Sequence, residues 1–216
     1  MFSHDLFSEQ EAGCPLPLGI RAMLLRGHAL GVMGQLLPAL KTIVAQAPFR
    51  YLSTPGGRPM SIALTACGAL GWHSDAHGYR YTRIDPHSGR PWPPMPNCFL
   101  ALARNAAEAA GFYAFQPDTC LINRYLPGGR LSLHQDRDER DFSAPIVSVS
   151  LGMSATFLFG GLARSDRTSR VPLHHGDVVV WGGPDRLRYH GVLPLAGPAH
   201  PLLGEQRINL TFRKAG

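Results

Sequence analysis

The hydrophobic pattern changes its period near residue 112. Before it, Leu30, Met33, Leu36, Leu37, Leu40 and Val44 recur at helical spacing, which predicts a helix over 27–46 with one apolar face, weakened at Gly31, Gly34 and Pro38. A second helix is predicted over 97–110, opening after Pro96 with Asn97 as a capping residue, packing through Phe99, Leu102 and Ala106, and stopping at Gly111. Between them, 50–96 is rich in Gly, Pro, His and aromatics in short alternating stretches and reads as an irregular β-rich subregion suited to a lid.

After Phe112 the runs are short and β-like: 119–125, 131–134, 146–151, 156–159, 178–181 and 207–213, punctuated by Gly128-Gly129, Gly160-Gly161 and Gly182-Gly183. This spacing predicts a β-sandwich or barrel, mainly β with flanking helices. No repeat, low-complexity tract or linker divides the chain. The expected organisation is a single domain over 1–216: an N-terminal extension and helix at 1–47, a lid subregion at 48–96, and a helix plus β core at 97–216.

Composition narrows the chemistry. Hydrophobic residues make up 44% and charged residues 17%, which excludes a disordered or collagen-like chain. Only Lys41 and Lys214 are lysines, so the formal charge of +6 is carried by guanidinium groups. Such forks bind carboxylates and phosphates bidentately, which points to an anionic partner; an Arg-rich composition with no partner is the competing reading. Neither lysine follows a Gly-rich loop, which excludes a P-loop. Cys14, Cys67, Cys98 and Cys120 form no C-x-x-C and suit a reducing compartment. Residues 1–24 carry Asp5, Glu9 and Glu11 without the basic start and apolar run of a secretory signal, and no stretch approaches the ~18 apolar residues of a membrane span. The expectation is a cytoplasmic protein with no membrane partner, monomeric by default because no unpaired amphipathic helix or heptad run is present.

Candidate chemistry gathers on the β runs. His134 and Asp136 lie two apart at the end of one predicted strand and so on one face; His190 follows another strand-like run. Two imidazoles and one carboxylate form the facial triad of non-haem Fe(II) oxygenases, although a chain with 10 His also produces such spacing without a metal. In 207–213 the odd-numbered residues are polar and the even-numbered ones apolar, placing Arg207, Asn209, Thr211 and Arg213 on one face. A solvated edge strand would explain one arginine; two with an amide between them suit a dicarboxylate better. Asn123 and Tyr125 repeat the geometry elsewhere, with a half-buried core aromatic as the other reading of Tyr125.

The runs Leu121-Ile122-Asn123-Arg124-Tyr125, Leu133-His134-Gln135-Asp136-Arg137-Asp138-Glu139, Gly176-Asp177-Val178-Val179-Val180-Trp181-Gly182-Gly183 and Asn209-Leu210-Thr211-Phe212-Arg213 resemble the bacterial AlkB family, over about 48–213. Arg137 and Ile208 stand where that family leads one to expect Lys and Tyr; both alternate away from the proposed site. The resemblance implies a double-stranded β-helix (jelly-roll) core with a nucleotide-recognition lid. It implies an Fe(II)- and 2-oxoglutarate-dependent dioxygenase that uses O2 to demethylate 1-methyladenine and 3-methylcytosine in DNA, with RNA as a further candidate substrate, releasing formaldehyde. By the same resemblance His134, Asp136 and His190 bind iron, and Asn123, Tyr125, Arg207, Asn209 and Arg213 hold 2-oxoglutarate, with the assignment of each arginine to a carboxylate left open. Trp72 would stack on a base, with Tyr79, Arg80 and Tyr81 near the backbone and Asp138 and Arg164 as further substrate contacts. Each has a plainer alternative: a satellite core for Trp72 and Tyr79, a solvated turn for Asp138, a solvated loop for Arg164. Two other functions stay open on the residues alone. A zinc hydrolase gives Arg207 and Arg213 no role, and a non-catalytic jelly-roll module binding nucleic acid gives the triad none.

Overall fold

Strict alternation in the C-terminal half produces two facing antiparallel sheets. The computed structural model describes residues 15–216; the acidic residues at 5, 9 and 11 and Cys14 lie outside that range. The chain opens with β1 (Leu16–Pro17), β2 (Ala22–Leu25), α1 (Met33–Gln46), β3 (Arg50–Ser53) and β4 (Pro59–Gly68). The hairpin β5 (Gly71–Asp75) and β6 (Gly78–Thr82) precedes α2 (Asn97–Ala109). There follow β7 (Thr119–Tyr125), β8 (Leu131–His134), β9 (Ile146–Gly152), β10 (Ala155–Phe159), β11 (Ser169–Leu173), β12 (Val178–Trp181), β13 (His190–Val192) and β14 (Arg207–Arg213). The large sheet runs β1-β2-β12-β9-β14-β7-β4-β3 and the small one β11-β10-β13-β8, the jelly-roll arrangement.

Residue parity sorts the side chains into two cores. Cys120, Ile122, Val147, Val149, Leu151, Val178, Val180, Ile208, Leu210 and Phe212 face the helices and meet Leu36, Leu40, Ile43, Phe99, Leu102 and Ala106. The opposite parity, Leu121, Tyr125, Ile146, Val179 and Trp181, meets Phe157, Phe159, Val171, Leu173 and Val192 of the small sheet. β14 lies between β9 and β7 and is buried at every position, so its polar face is no solvated edge. It looks into the gap between the sheets.

Several expectations are corrected here. The first helix begins at Met33 after a short 3-10 turn at Leu30–Val32, because Gly27 takes a left-handed φ of 60° that breaks the helical path before it. Asn97 is the first helical residue, with no side-chain cap; extended Pro96 precedes it, and its carbonyl accepts from the N–H groups of Phe99 and Leu100. β11 falls where no strand is predicted, since Pro172 and two polar residues mask its pattern; as an edge strand it tolerates the proline. Of the 48–96 stretch, β3 and β4 are strands of the large sheet, and the hairpin β5–β6 alone forms a sheet of its own.

Candidate active site

His134 ends β8 and His190 opens β13, and the two are direct partners across that antiparallel pair, their ring centroids 4.3 Å apart. His190 therefore starts a strand and does not follow one. Asp136 is not on the strand face at all: β8 stops two residues earlier, and the carboxylate is turned inward by other groups. Arg213 Nε and Nη2 donate to its Oδ2 at 2.8 and 2.6 Å, and Arg186 Nη1 donates to its backbone carbonyl at 2.7 Å. Candidate ligand atoms of the three residues all lie within 4.8 Å of one another.

Local hydrogen bonds prepare these groups for a cation. Nδ1 of His134 meets the Ser132 carbonyl at 2.9 Å and Nδ1 of His190 the Arg188 carbonyl at 3.0 Å, which puts the proton on Nδ1 and the lone pair on Nε2. Burial, with repulsion from His134, lowers the His190 pKa to about 4, so this imidazole is neutral at physiological pH. Burial works to lower the His134 pKa too, but Asp136 outweighs it and the net shift is upward, so a metal at this site takes the place of a proton on Nε2. Burial of Asp136 works against its charge, but Arg213 and the two histidines prevail and hold it well below the usual carboxylate range. His134 is the open member: its side chain is 34% exposed, against 7% for His190. The donor set, two imidazole lone pairs and an ionised carboxylate with one accessible side, fits Fe(II) with positions left for other ligands.

The β14 face continues from the triad. Arg207 lies opposite Tyr125 and Asn209 opposite Asn123 in the β14–β7 register. Arg207 donates from Nη2 to Ser150 Oγ at 2.8 Å and packs over the Tyr125 ring at 4.9 Å, while its Nε and Nη1, and Nη1 of Arg213, are buried without a partner among the described residues. Native interiors rarely leave such donors unmatched, so the face is built for an acceptor-rich guest; a dicarboxylate such as 2-oxoglutarate meets that need. Asn209 Oδ1 accepts from Asn123 and Thr211 and its Nδ2 donates to Ser148 Oγ and the Val149 carbonyl, so its amide is spent on the protein.

The β5–β6 register divides the aromatic hairpin. Trp72 pairs with Tyr81 and Ser74 with Tyr79, placing Trp72, Tyr79 and Tyr81 on one face and Arg80 on the other. Trp72 stacks on Tyr79 at 5.5 Å and its Nε1 donates to Asp138 Oδ2 at 2.8 Å. Arg80 is gripped by both oxygens of Asp75 at 2.7 Å. Arg164 lies in the exposed β10–β11 loop, 6.0 Å from the ring of Tyr189. Sequence reading missed Glu139, a buried carboxylate that accepts from Tyr81 Oη at 2.6 Å and Arg186 Nη2 at 3.1 Å and lies 3.3 Å from Arg213 Nε. It missed Ser148, Ser150 and Arg186 as well. Alternation on β9 could have flagged the serines, which share the parity of Ile146; nothing local distinguishes Glu139 within a run of charges.

Residues 34–213 match the family described as the 2OG-Fe(II) oxygenase superfamily, and the fold and triad are those of such an oxygenase. The chain is 55% identical over 211 residues to the alpha-ketoglutarate-dependent dioxygenase AlkB of Salmonella typhimurium, covering 98% of this chain and 97% of that one. It is 54% identical over 212 residues to the protein of that name from Escherichia coli K12, covering 98% of each. The chain belongs to the bacterial AlkB family and is an Fe(II)- and 2-oxoglutarate-dependent dioxygenase. The solved structure of OsALKBH1 superposes with a TM-score of 0.80 at 28% identity, covering 93% of this chain and 100% of that one.

Proposed function

We propose that this dioxygenase demethylates cationic methylated bases, 1-methyladenine and 3-methylcytosine, in DNA, with RNA as a second substrate. The carrying observation is Asp138, two residues beyond Asp136 and held by the Trp72 indole, which offers a carboxylate beside an aromatic surface. A base methylated at those ring nitrogens is positively charged, and a flipped base needs stacking and an edge contact. Bound iron supplies the oxidation that couples 2-oxoglutarate decarboxylation to hydroxylation of the methyl group, after which the hydroxymethyl adduct releases formaldehyde.

In this reading His134, Asp136 and His190 hold the metal, and the backbone carbonyls of Ser132 and Arg188 keep both imidazoles in the ligating tautomer. Arg213, which touches a metal ligand, takes the carboxylate of 2-oxoglutarate nearer the metal; Arg207 takes the distal one, with Asn123 and Tyr125 beside it. Asn209 positions Asn123 and does not bind the co-substrate itself. Tyr79 stacks on Trp72, and the base joins that aromatic surface. Arg164 approaches from the loop beside Tyr189.

Among the described residues no helix is long and apolar enough to cross a membrane. A reducing, cytoplasmic setting is supported by Cys67 and Cys120, which are register partners on β4 and β7 yet remain free thiols. A monomer is supported by the scatter of exposed apolar side chains such as Tyr51, Tyr113 and Leu202 over separate elements. The test is iron-loaded enzyme with oligonucleotides carrying each lesion: oxygen-dependent succinate, formaldehyde and the unmodified base should form together. Succinate formed without base restoration would reject the substrate assignment, and hydrolysis supported by zinc alone would reject the oxidative one.

A further inference from the structure

The roles above leave a cleft of about 420 Å³ beside the hairpin unexplained. Its walls are Tyr79, Arg80, Tyr81 and Arg83 on one side and Asp138 and Arg140 on the other, with the chain at 215–216 along one margin. The two walls are pinned together: Trp72 donates to Asp138, and Tyr81 donates to the buried Glu139 between Asp138 and Arg140. The cleft is thus bounded by two segments tied to each other, with Asp138 among its lining residues.

Charge along the groove is graded. Asp138 supplies the negative charge of the lining. Arg80 is neutralised by Asp75. Arg83 and Arg140 are exposed and, among the described residues, have no ion pair and no side-chain hydrogen bond. They are two free guanidinium groups facing one groove from opposite walls, one just past β6 and one two residues beyond Asp138. A methylated nucleotide has the same polarity: a cationic base attached to an anionic phosphodiester. With its base at Asp138, the backbone continues toward the arginines, whose forks match phosphate oxygens.

We propose that Arg83 and Arg140 form a phosphodiester track that binds the strand flanking the target base, independently of its sequence. The inference rests on the nucleic-acid reading above and deepens it.

The test is holoenzyme binding to an unmodified single-stranded oligothymidylate, measured by fluorescence anisotropy between roughly 50 and 200 mM salt. Each phosphate contact on a single strand contributes about 0.7 to the slope of log affinity against log salt, so Arg83→Ala with Arg140→Ala should flatten it by roughly 1.4. Arg83→Lys with Arg140→Lys should keep most of the slope, because a point charge still displaces the counterion. Lys41→Ala with Arg104→Ala removes two exposed charges from α1 and α2, on the far side of the large sheet, and should leave the slope as it was. An unchanged slope in the Arg83 and Arg140 double variant overturns the track while the nucleic-acid reading stands. So does an equal flattening in the helix control, which would mean that net charge alone acts. Wild-type enzyme with no salt-dependent affinity for the strand overturns the nucleic-acid reading, and the track with it.

Discussion

Arg207 is 1% exposed, has no ion-pair partner among the described residues, and leaves Nε and Nη1 unmatched; burial lowers its pKa. The substitution Arg207→Met removes a lone buried charge and keeps an unbranched apolar stem against Tyr125. Two unmatched buried donors cost about 1–3 kcal/mol each, a penalty the variant escapes. Against that it loses the Ser150 bond, about 1.5–3 kcal/mol for a charged donor, and the ring contact with Tyr125, about 0.5–2 kcal/mol. The midpoints nearly cancel, so with iron and 2-oxoglutarate stripped away the Arg207→Met variant should be as stable as the wild type, or up to about 2 kcal/mol more stable. An ordinary truncation at a fully buried site costs about 2–5 kcal/mol. The second half of the prediction concerns the co-substrate. At 100 times its dissociation constant, anaerobic 2-oxoglutarate with iron should stabilise the wild type by about 2.7 kcal/mol and Arg207→Met by almost nothing. Urea unfolding of both proteins, stripped and loaded, decides it. A stripped variant destabilised in the ordinary truncation range would make Arg207 a core residue, and equal stabilisation of both proteins by 2-oxoglutarate would put the dicarboxylate somewhere else.

Three further outcomes are expected. His190→Ala should retain the fold and lose bound iron and turnover together; wild-type iron stoichiometry by metal analysis would refute the triad. Asp138→Asn should lower kcat/KM on the two cationic bases more than on neutral 1-methylguanine and 3-methylthymine by about 1–3 kcal/mol of discrimination, and an equal loss on all four would show that Asp138 does not read charge. For Asp85, burial works to raise the pKa but the bidentate bonds from Arg50 outweigh it and bring it to about 2. A lowered carboxylate stabilises fully above its ordinary pKa of 3.8 and loses that contribution as pH falls through about 2, so Asp85→Asn should cost about 2 kcal/mol near neutral pH and far less near pH 2 in urea titrations.

What the sequence displays is what period-2 alternation can encode. The β14 run predicts both its apolar anchor and its polar face, because a strand between two packed layers must sort its side chains by parity. The triad residues are legible for a different reason each: His134 ends a patterned strand and His190 starts one, whereas Asp136 owes its place to Arg213, 77 residues away. Contacts at that range leave no local trace, which is also why Glu139 and Arg186 go unnoticed. Arg80 shows the reverse case: its neighbours Tyr79 and Tyr81 suggest a single face, whereas the register of the hairpin sets it on the other, bound to Asp75.

The two bonds that pin the hairpin, Trp72 to Asp138 and Tyr81 to Glu139, end on consecutive residues of one segment. They are not equivalent latches. Asp138 is exposed, and the indole uses only its Oδ2, which leaves Oδ1 open to a further donor; Glu139 is buried and keeps Tyr81 whatever Asp138 does. One latch therefore keeps an acceptor facing outward while the other is closed off. A base read by Asp138, as proposed above, would then meet a carboxylate already oriented by Trp72, with no bond to displace.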